Sequence, residues 1–171
     1  TAEVRRQAQA AQAAATAASA QAFQQAVARA GGSLTDVPAT SPVAAAAIAA
    51  ARSRLGLPYV WGATGPKSFD CSGLTQWAYA HAGVTLPRVA ADQWNAGPHP
   101  SLAALLPGDL LFWATDTSDP ATIHHVAIYL GGGQMIAAPH AGADVSIQPV
   151  YLSGLIGATR PWLPAGADST S

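Results

Sequence analysis

Hydrophobic positions follow two rhythms along this chain, a helical one in the first half and a strand-like one in the second. Residues 1–30 have neither Gly nor Pro, and Gly31-Gly32 closes them; alanine-rich sequence of this kind predicts one long helix. Its only larger apolar residues are Val4, Phe23 and Val27, and the last two lie one turn apart, where they can dock together. Ser41-Pro42 is an N-cap followed by proline at the first helical position, and predicts an alanine-rich helix over 42–55 that ends at Gly56. Leu57 to Gly62 reads as an extended lead-in. Leu74, Trp77 and Ala78 give the i, i+3, i+4 spacing of a helix from Cys71 to about His81, stopped at Gly83. A short helix over 89–96 contains Asp92, Gln93 and Trp94. From Asp109 onward the period shortens. Strands are expected over 109–114, 123–130, 134–138, 145–150 and 158–162, with glycines and prolines between them. Helices followed by an antiparallel meander make an α+β pattern.

Composition narrows the picture. Of 171 residues 41 are Ala, so a hydrophobic fraction of 50% overstates the core. The net charge of −1 gives no electrostatic case for nucleic acid or an anionic membrane. No apolar run approaches the roughly 20 residues of a membrane span. The single cysteine excludes an intrachain disulfide. The chain begins at Thr1 rather than Met and shows no signal peptide, which points to processing or trimming upstream.

Candidate chemistry gathers at Phe69-Asp70-Cys71-Ser72-Gly73-Leu74. Asp70 and Ser72 are good helix starters, which puts Cys71 at a helix N-terminus. The unpaired N–H groups and positive dipole end there favour a thiolate, so the thiol pKa is expected to fall. The same N–H groups suit the oxyanion of an acyl-transfer intermediate. Gly73 is expected to keep the approach to the sulfur open. A buried, inert cysteine is the competing reading. A thiol nucleophile needs a base, and His125 opens the run His125-Val126-Ala127-Ile128-Tyr129-Leu130. In a regular strand His124 turns to the opposite face, so only one of the two can serve. A metal site from Cys71, His124, His125 and His140 is disfavoured, because the spacing lacks the short ligand pairs of structural zinc. No cofactor or metal is expected.

Five motifs carry a resemblance. Tyr59-Val60-Trp61-Gly62, the Cys71 stretch, Leu86-Pro87-Arg88, Pro107-Gly108-Asp109-Leu110-Leu111-Phe112 and the His125 run through Gly131 stand in the order and spacing of the NlpC family of bacterial cell-wall peptidases. The match spans about residues 42–163. It implies a papain-like core, with N-terminal helices packed on a central antiparallel sheet and the long Ala-rich helix preceding it. It also implies a cysteine endopeptidase that hydrolyses peptidoglycan stem peptides, typically between D-glutamate and a diamino acid. Cys71 and His125 take the catalytic positions, and Tyr59, Asp70, Ser72 and Arg88 fall in substrate-binding ones. A secreted or envelope location follows from that substrate alone.

The chain departs from the family at the third catalytic position, usually a polar residue 12 places after the histidine, where Ala137 stands. His140 either substitutes for it from beyond Pro139 or lines the groove. A binding module that has lost useful catalysis is therefore the alternative. Arg88 has two readings, a bidentate clamp on a substrate carboxylate or a salt bridge to Asp92. Residues 1–32 read as a helical arm, either solvated or the end of a coiled coil contacting a partner, or else a lid over the groove. Residues 33–41 read as a linker, 42–163 as the peptidase domain and 164–171 as a disordered tail.

Overall fold

A computed structural model describes residues 1–32 and 41–164; the expected linker over 33–40 and tail over 165–171 lie outside the described residues. Among the described residues four α-helices precede five strands. They are α1 (Ala2–Arg29), α2 (Pro42–Arg52), α3 (Cys71–His81), α4 (Ala90–Gln93), β1 (Leu110–Ala114), β2 (Ile123–Gly131), β3 (Gln134–Ala137), β4 (Ser146–Pro149) and β5 (Leu155–Thr159). The strands form one antiparallel sheet in the order β4-β3-β2-β1-β5.

Alternation along the strands gives the sheet two covered faces. Leu110, Phe112, Val126, Ile128 and Ile136 pack with Ala47, Ala51, Leu74 and Ala78 of α2 and α3. Alanine on α2 lets the two helices approach closely. Leu111, Trp113, Ala127, Tyr129, Met135 and Ala137 face the other way and meet Phe23 and Val27 of α1. Phe23 is fully buried, its ring edge-on to Tyr129 at 6.2 Å between centroids. Burying one such side chain contributes about 2 kcal/mol. The solvated-arm reading of the first helix is thus corrected at its C-terminal end. There the two large apolar side chains cap the sheet, while the first seventeen residues of α1 remain exposed.

Three expected elements are displaced. The helix expected over 42–55 ends at Arg52. The short helix ends at Gln93 rather than 96. The last strand runs Leu155–Thr159, not 158–162, because β1 sets its register: Leu110 pairs Thr159 and Trp113 pairs Leu155. Pro161 has no N–H to extend that ladder. Arg160, just beyond the strand, instead turns inward. Its Nε and Nη2 donate to the two oxygens of Asp109 at 2.9 and 3.0 Å, and Nη2 also donates to the Ala104 carbonyl at 2.7 Å. Asp109 accepts the Leu106 N–H at 2.8 Å as well, so the expected turn tie is present but is half of its role. Both ends of this pair are buried. Asp109→Ala strands a buried guanidinium, and unfolding free energy in urea is expected to drop by about 3–5 kcal/mol. A loss under 1 kcal/mol would show the pair to be dispensable.

Candidate active site

The cysteine helix begins where expected. Asp70 is its N-cap and accepts the Gly73 N–H at 2.7 Å, so Cys71 is the first helical residue. Gly73 does not serve the approach to the sulfur. It is buried, and a Cβ there would lie 2.1 Å from the Ala63 carbonyl oxygen. Its role is close packing of the helix start on the 63–70 turn, where Asp70 N–H also donates to Ala63 O at 2.9 Å.

Cys71 is partly exposed and borders a cavity of about 280 Å³. The same cavity is lined by Tyr59, His124, His125, Pro139, His140, Gln148 and Tyr151. Folding thus brings the lone thiol and the β2 imidazole to one cleft, between the α3 N-terminus and the start of the β2 strand. His124 shares that cleft, against expectation. The reason is a bulge: Trp113 pairs His125 but Ala114 pairs Ile123, leaving His124 as the extra residue. A bulge re-aims the side chain it carries. The Cys71 thiol points at the His124 carbonyl, a long contact of 4.0 Å.

The expected fall in thiol pKa is also overturned. Burial pushes the Cys71 thiol up, and the Asp70 carboxylate adds to this; N–H groups of Val126, Ser72 and Cys71 oppose it without winning. Burial is the larger cause and the cap adds to it. Asp70 already occupies the positive end of the helix with its own charge. Burial pulls the His125 imidazole down to about 4, with His124 and His140 adding to the effect. Near pH 7 the pair is therefore a neutral thiol beside a neutral imidazole.

His125 has a consequence for stability. Its folded value lies below the unfolded value near 6.5, so acid protonates the unfolded chain first. Stability is complete above about pH 6.5 and is lost as pH falls toward 4. Between pH 7 and 4.5 this one group is expected to remove about 2–3 kcal/mol. Denaturant melts of the wild type and His125→Asn at both pH values check it; parallel losses would count against the assignment.

His125 stacks obliquely on Trp113 at 5.2 Å between ring centroids. Among the described residues no side chain hydrogen-bonds to its ring nitrogens. Ala137 lies on the same sheet face: it packs in one core cluster with Ala127 and with Trp113, on which His125 stacks. His140 is exposed and borders the cavity, with Nδ1 held by the Ala141 carbonyl at 2.9 Å.

Arg88 bonds within the chain to Asp70 and Ser72. It does not reach for Asp92. Nη2 and Nη1 clamp Asp70 at 2.7 and 3.2 Å, and Nη1 also donates to Ser72 Oγ at 2.9 Å. Asp70, Ser72 and Arg88 thus form one polar cluster around the cysteine, with Tyr59 half-buried at the cleft. Gln93 braces this cluster from α4: its Nε2 donates to the carbonyls of Ser72 and Pro87, and Thr75 Oγ1 donates to its Oε1. Nothing in the local pattern marks Gln93 for that role. Gln148 and Tyr151 were equally invisible, because β4 and the segment after it carry no motif. Among the described residues no group of three or more His, Cys, Asp or Glu is placed to hold a metal ion.

A thiol on a helix terminus facing an imidazole on an antiparallel sheet defines the α+β, papain-like fold class. More narrowly, the chain belongs to the NlpC/P60 family, whose sequence profile matches residues 56–159. It is 38% identical over 135 residues to a Gamma-D-glutamyl-L-lysine dipeptidyl-peptidase of Bacillus cereus, covering 77% of this chain and 40% of that protein. It is 39% identical over 118 residues to the peptidoglycan endopeptidase RipB of Mycobacterium tuberculosis, covering 61% of this chain and 47% of that protein. The chain thus spans less than half the length of these curated relatives. The solved structure of M. tuberculosis RipB, a peptidoglycan hydrolase, superposes with a TM-score of 0.63 at 32% identity, covering 89% of this chain and 85% of that one. The NlpC/p60 domain of the peptidoglycan hydrolase SagA gives 0.62 at 39% identity, covering 68% and 97%.

Proposed function

We propose that the chain is a cysteine endopeptidase that cuts peptidoglycan stem peptides, between D-glutamate and the diamino acid, in the cell envelope or outside the cell. The observation that supports this most is the shared cleft of Cys71 and His125 in a chain of this family. His125, neutral at pH 7, takes the thiol proton as Cys71 Sγ bonds to the peptide carbonyl carbon. The oxyanion lies against N–H groups at the α3 terminus. The imidazolium then returns the proton to the departing amine as the C–N bond breaks, and water hydrolyses the thioester by the same route. Tyr59, Asp70, Ser72 and Arg88 hold the stem peptide, with Arg88 keeping Asp70 and Ser72 in position. His140 either orients the imidazole or lines the groove. Incubating the protein with purified sacculi and reading the released fragments by mass spectrometry tests this. A new diamino-acid amine is expected; intact stems after long incubation would refute it.

A second reading is favoured by one observation. Ala137 leaves the far side of the imidazole without an orienting partner, which suits a peptidoglycan-binding module with little turnover. Sacculus pull-down measured beside turnover separates the two.

A further inference from the structure

A second cavity, of about 420 Å³, opens beside the first. One wall is α1, through Gln12, Ala15, Thr16 and Ser19; the other is His140, Ile147, Gln148, Pro149 and Tyr151. His140, Gln148 and Tyr151 line both cavities, so the two adjoin. Gln12, Thr16 and Ser19 are spaced i, i+4 and i+7, which sets them on one helix face. Val4, the other large apolar residue of α1, is exposed, and the buried apolar anchors of α1 are Phe23 and Val27, so the exposed Gln12 and Thr16 are not what docks the helix.

From this groove we infer that α1 builds a saccharide subsite, which receives the N-acetylated sugar still attached to the stem peptide under attack; this rests on the hydrolase reading above. Two arguments carry it. The first is charge. The lining includes no Asp, Glu, Lys or Arg. Stem peptides carry several carboxylates and would leave them unpaired here. A sugar whose carboxyl is spent in the amide to the stem is uncharged. Its hydroxyl and acetamido groups match Gln, Thr and Ser side chains, and its ring face matches Tyr151. The second is reach. The bond between D-glutamate and the diamino acid lies two residues from the sugar, and two extended residues span about 7 Å. A sugar on a stem lying in the Cys71 cleft therefore stays close beside it, and the second cavity is the neighbour that shares three lining residues with that cleft.

The test compares two substrates, a disaccharide-linked tetrapeptide and the same tetrapeptide free. Two variants of the full chain act on the α1 wall: Gln12→Ala/Thr16→Ala, which removes donors, and Ala15→Trp, which fills the groove. Gln12, Ala15 and Thr16 are exposed helix positions, so the fold tolerates both variants. The wild type is expected to prefer the disaccharide-linked substrate. In each variant the ratio of kcat/KM values should fall about ten-fold, the loss of one or two hydrogen bonds. Equal changes on both substrates, or none, overturn the subsite. If the wild type cleaves neither substrate, the hydrolase reading fails by itself. Calorimetric Kd values for the disaccharide-linked peptide then decide: weakening in Ala15→Trp sustains the subsite, and an unchanged Kd removes it.

Discussion

Cys71→Ala is expected to lower kcat/KM on stem peptides by about 10⁴-fold or more, while binding to sacculi persists. The size follows from what is removed. Without sulfur no acyl-enzyme forms, and His125 is left to activate water in a cleft shaped around a thiol. The substitution costs the fold little. Cys71 is the first residue of α3, where alanine has good propensity, and it is only partly exposed beside the core. Melting temperature should therefore move by a few degrees at most, which separates a chemical defect from an unfolded one. Retained turnover in Cys71→Ala would transfer the nucleophile elsewhere and dismantle the mechanism. The neutral pairing adds a second signature. Because burial and Asp70 hold the thiol above its ordinary pKa, alkylation of Cys71 by iodoacetamide should climb with pH into the alkaline range. A rate already at its plateau near pH 6 would mean a preformed thiolate.

The parts of this architecture that local chemistry controls were legible in the sequence, and those set by pairing were not. Asp70 announces the start of α3 because a cap works through its own side chain and the next three residues. The β2 strand announces itself through β-branched and aromatic residues closed by glycines. The thiol's pKa was misjudged from the same stretch. A helix terminus favours an anion in isolation, but folding buries this thiol, which the sequence does not show, and the residue that caps the helix is itself an anion. The bulge that brings His124 to the cleft exists only in the offset between β1 and β2, which neither strand encodes alone. The true span of β5 is likewise dictated by β1. The groove wall on α1 was least visible of all, since Gln12 and Thr16 sit in low-complexity sequence and gain meaning only from where Phe23 and Val27 anchor the helix.

Ala137→Glu is expected to raise kcat on stem peptides by about 10²-fold, against the usual direction of a substitution at a buried position. Ala137 and His125 share one sheet face; carrying the Ile128–Ile136 register on along β2 would set them diagonally, about 7–8 Å apart in a regular pair, within reach of a long side chain. A carboxylate there accepts a hydrogen bond from the imidazole, fixes its tautomer and stabilises the imidazolium formed in the reaction; removing such a partner from a catalytic triad costs about 10⁴-fold. The gain is set lower because a buried carboxylate must first be desolvated, which should cost about 1–3 kcal/mol of stability. The pH profile supplies an independent check. The new charge favours the protonated ring, so the His125 value should rise from about 4 toward neutrality. The acid limb of kcat/KM should move to higher pH with it. If instead His140 already orients the ring, Ala137→Glu gains less than about three-fold and His140→Ala loses about as much as a triad partner would. The two variants together thus say which side chain holds His125, and an unmoved acid limb in Ala137→Glu would mean that the carboxylate never reaches it.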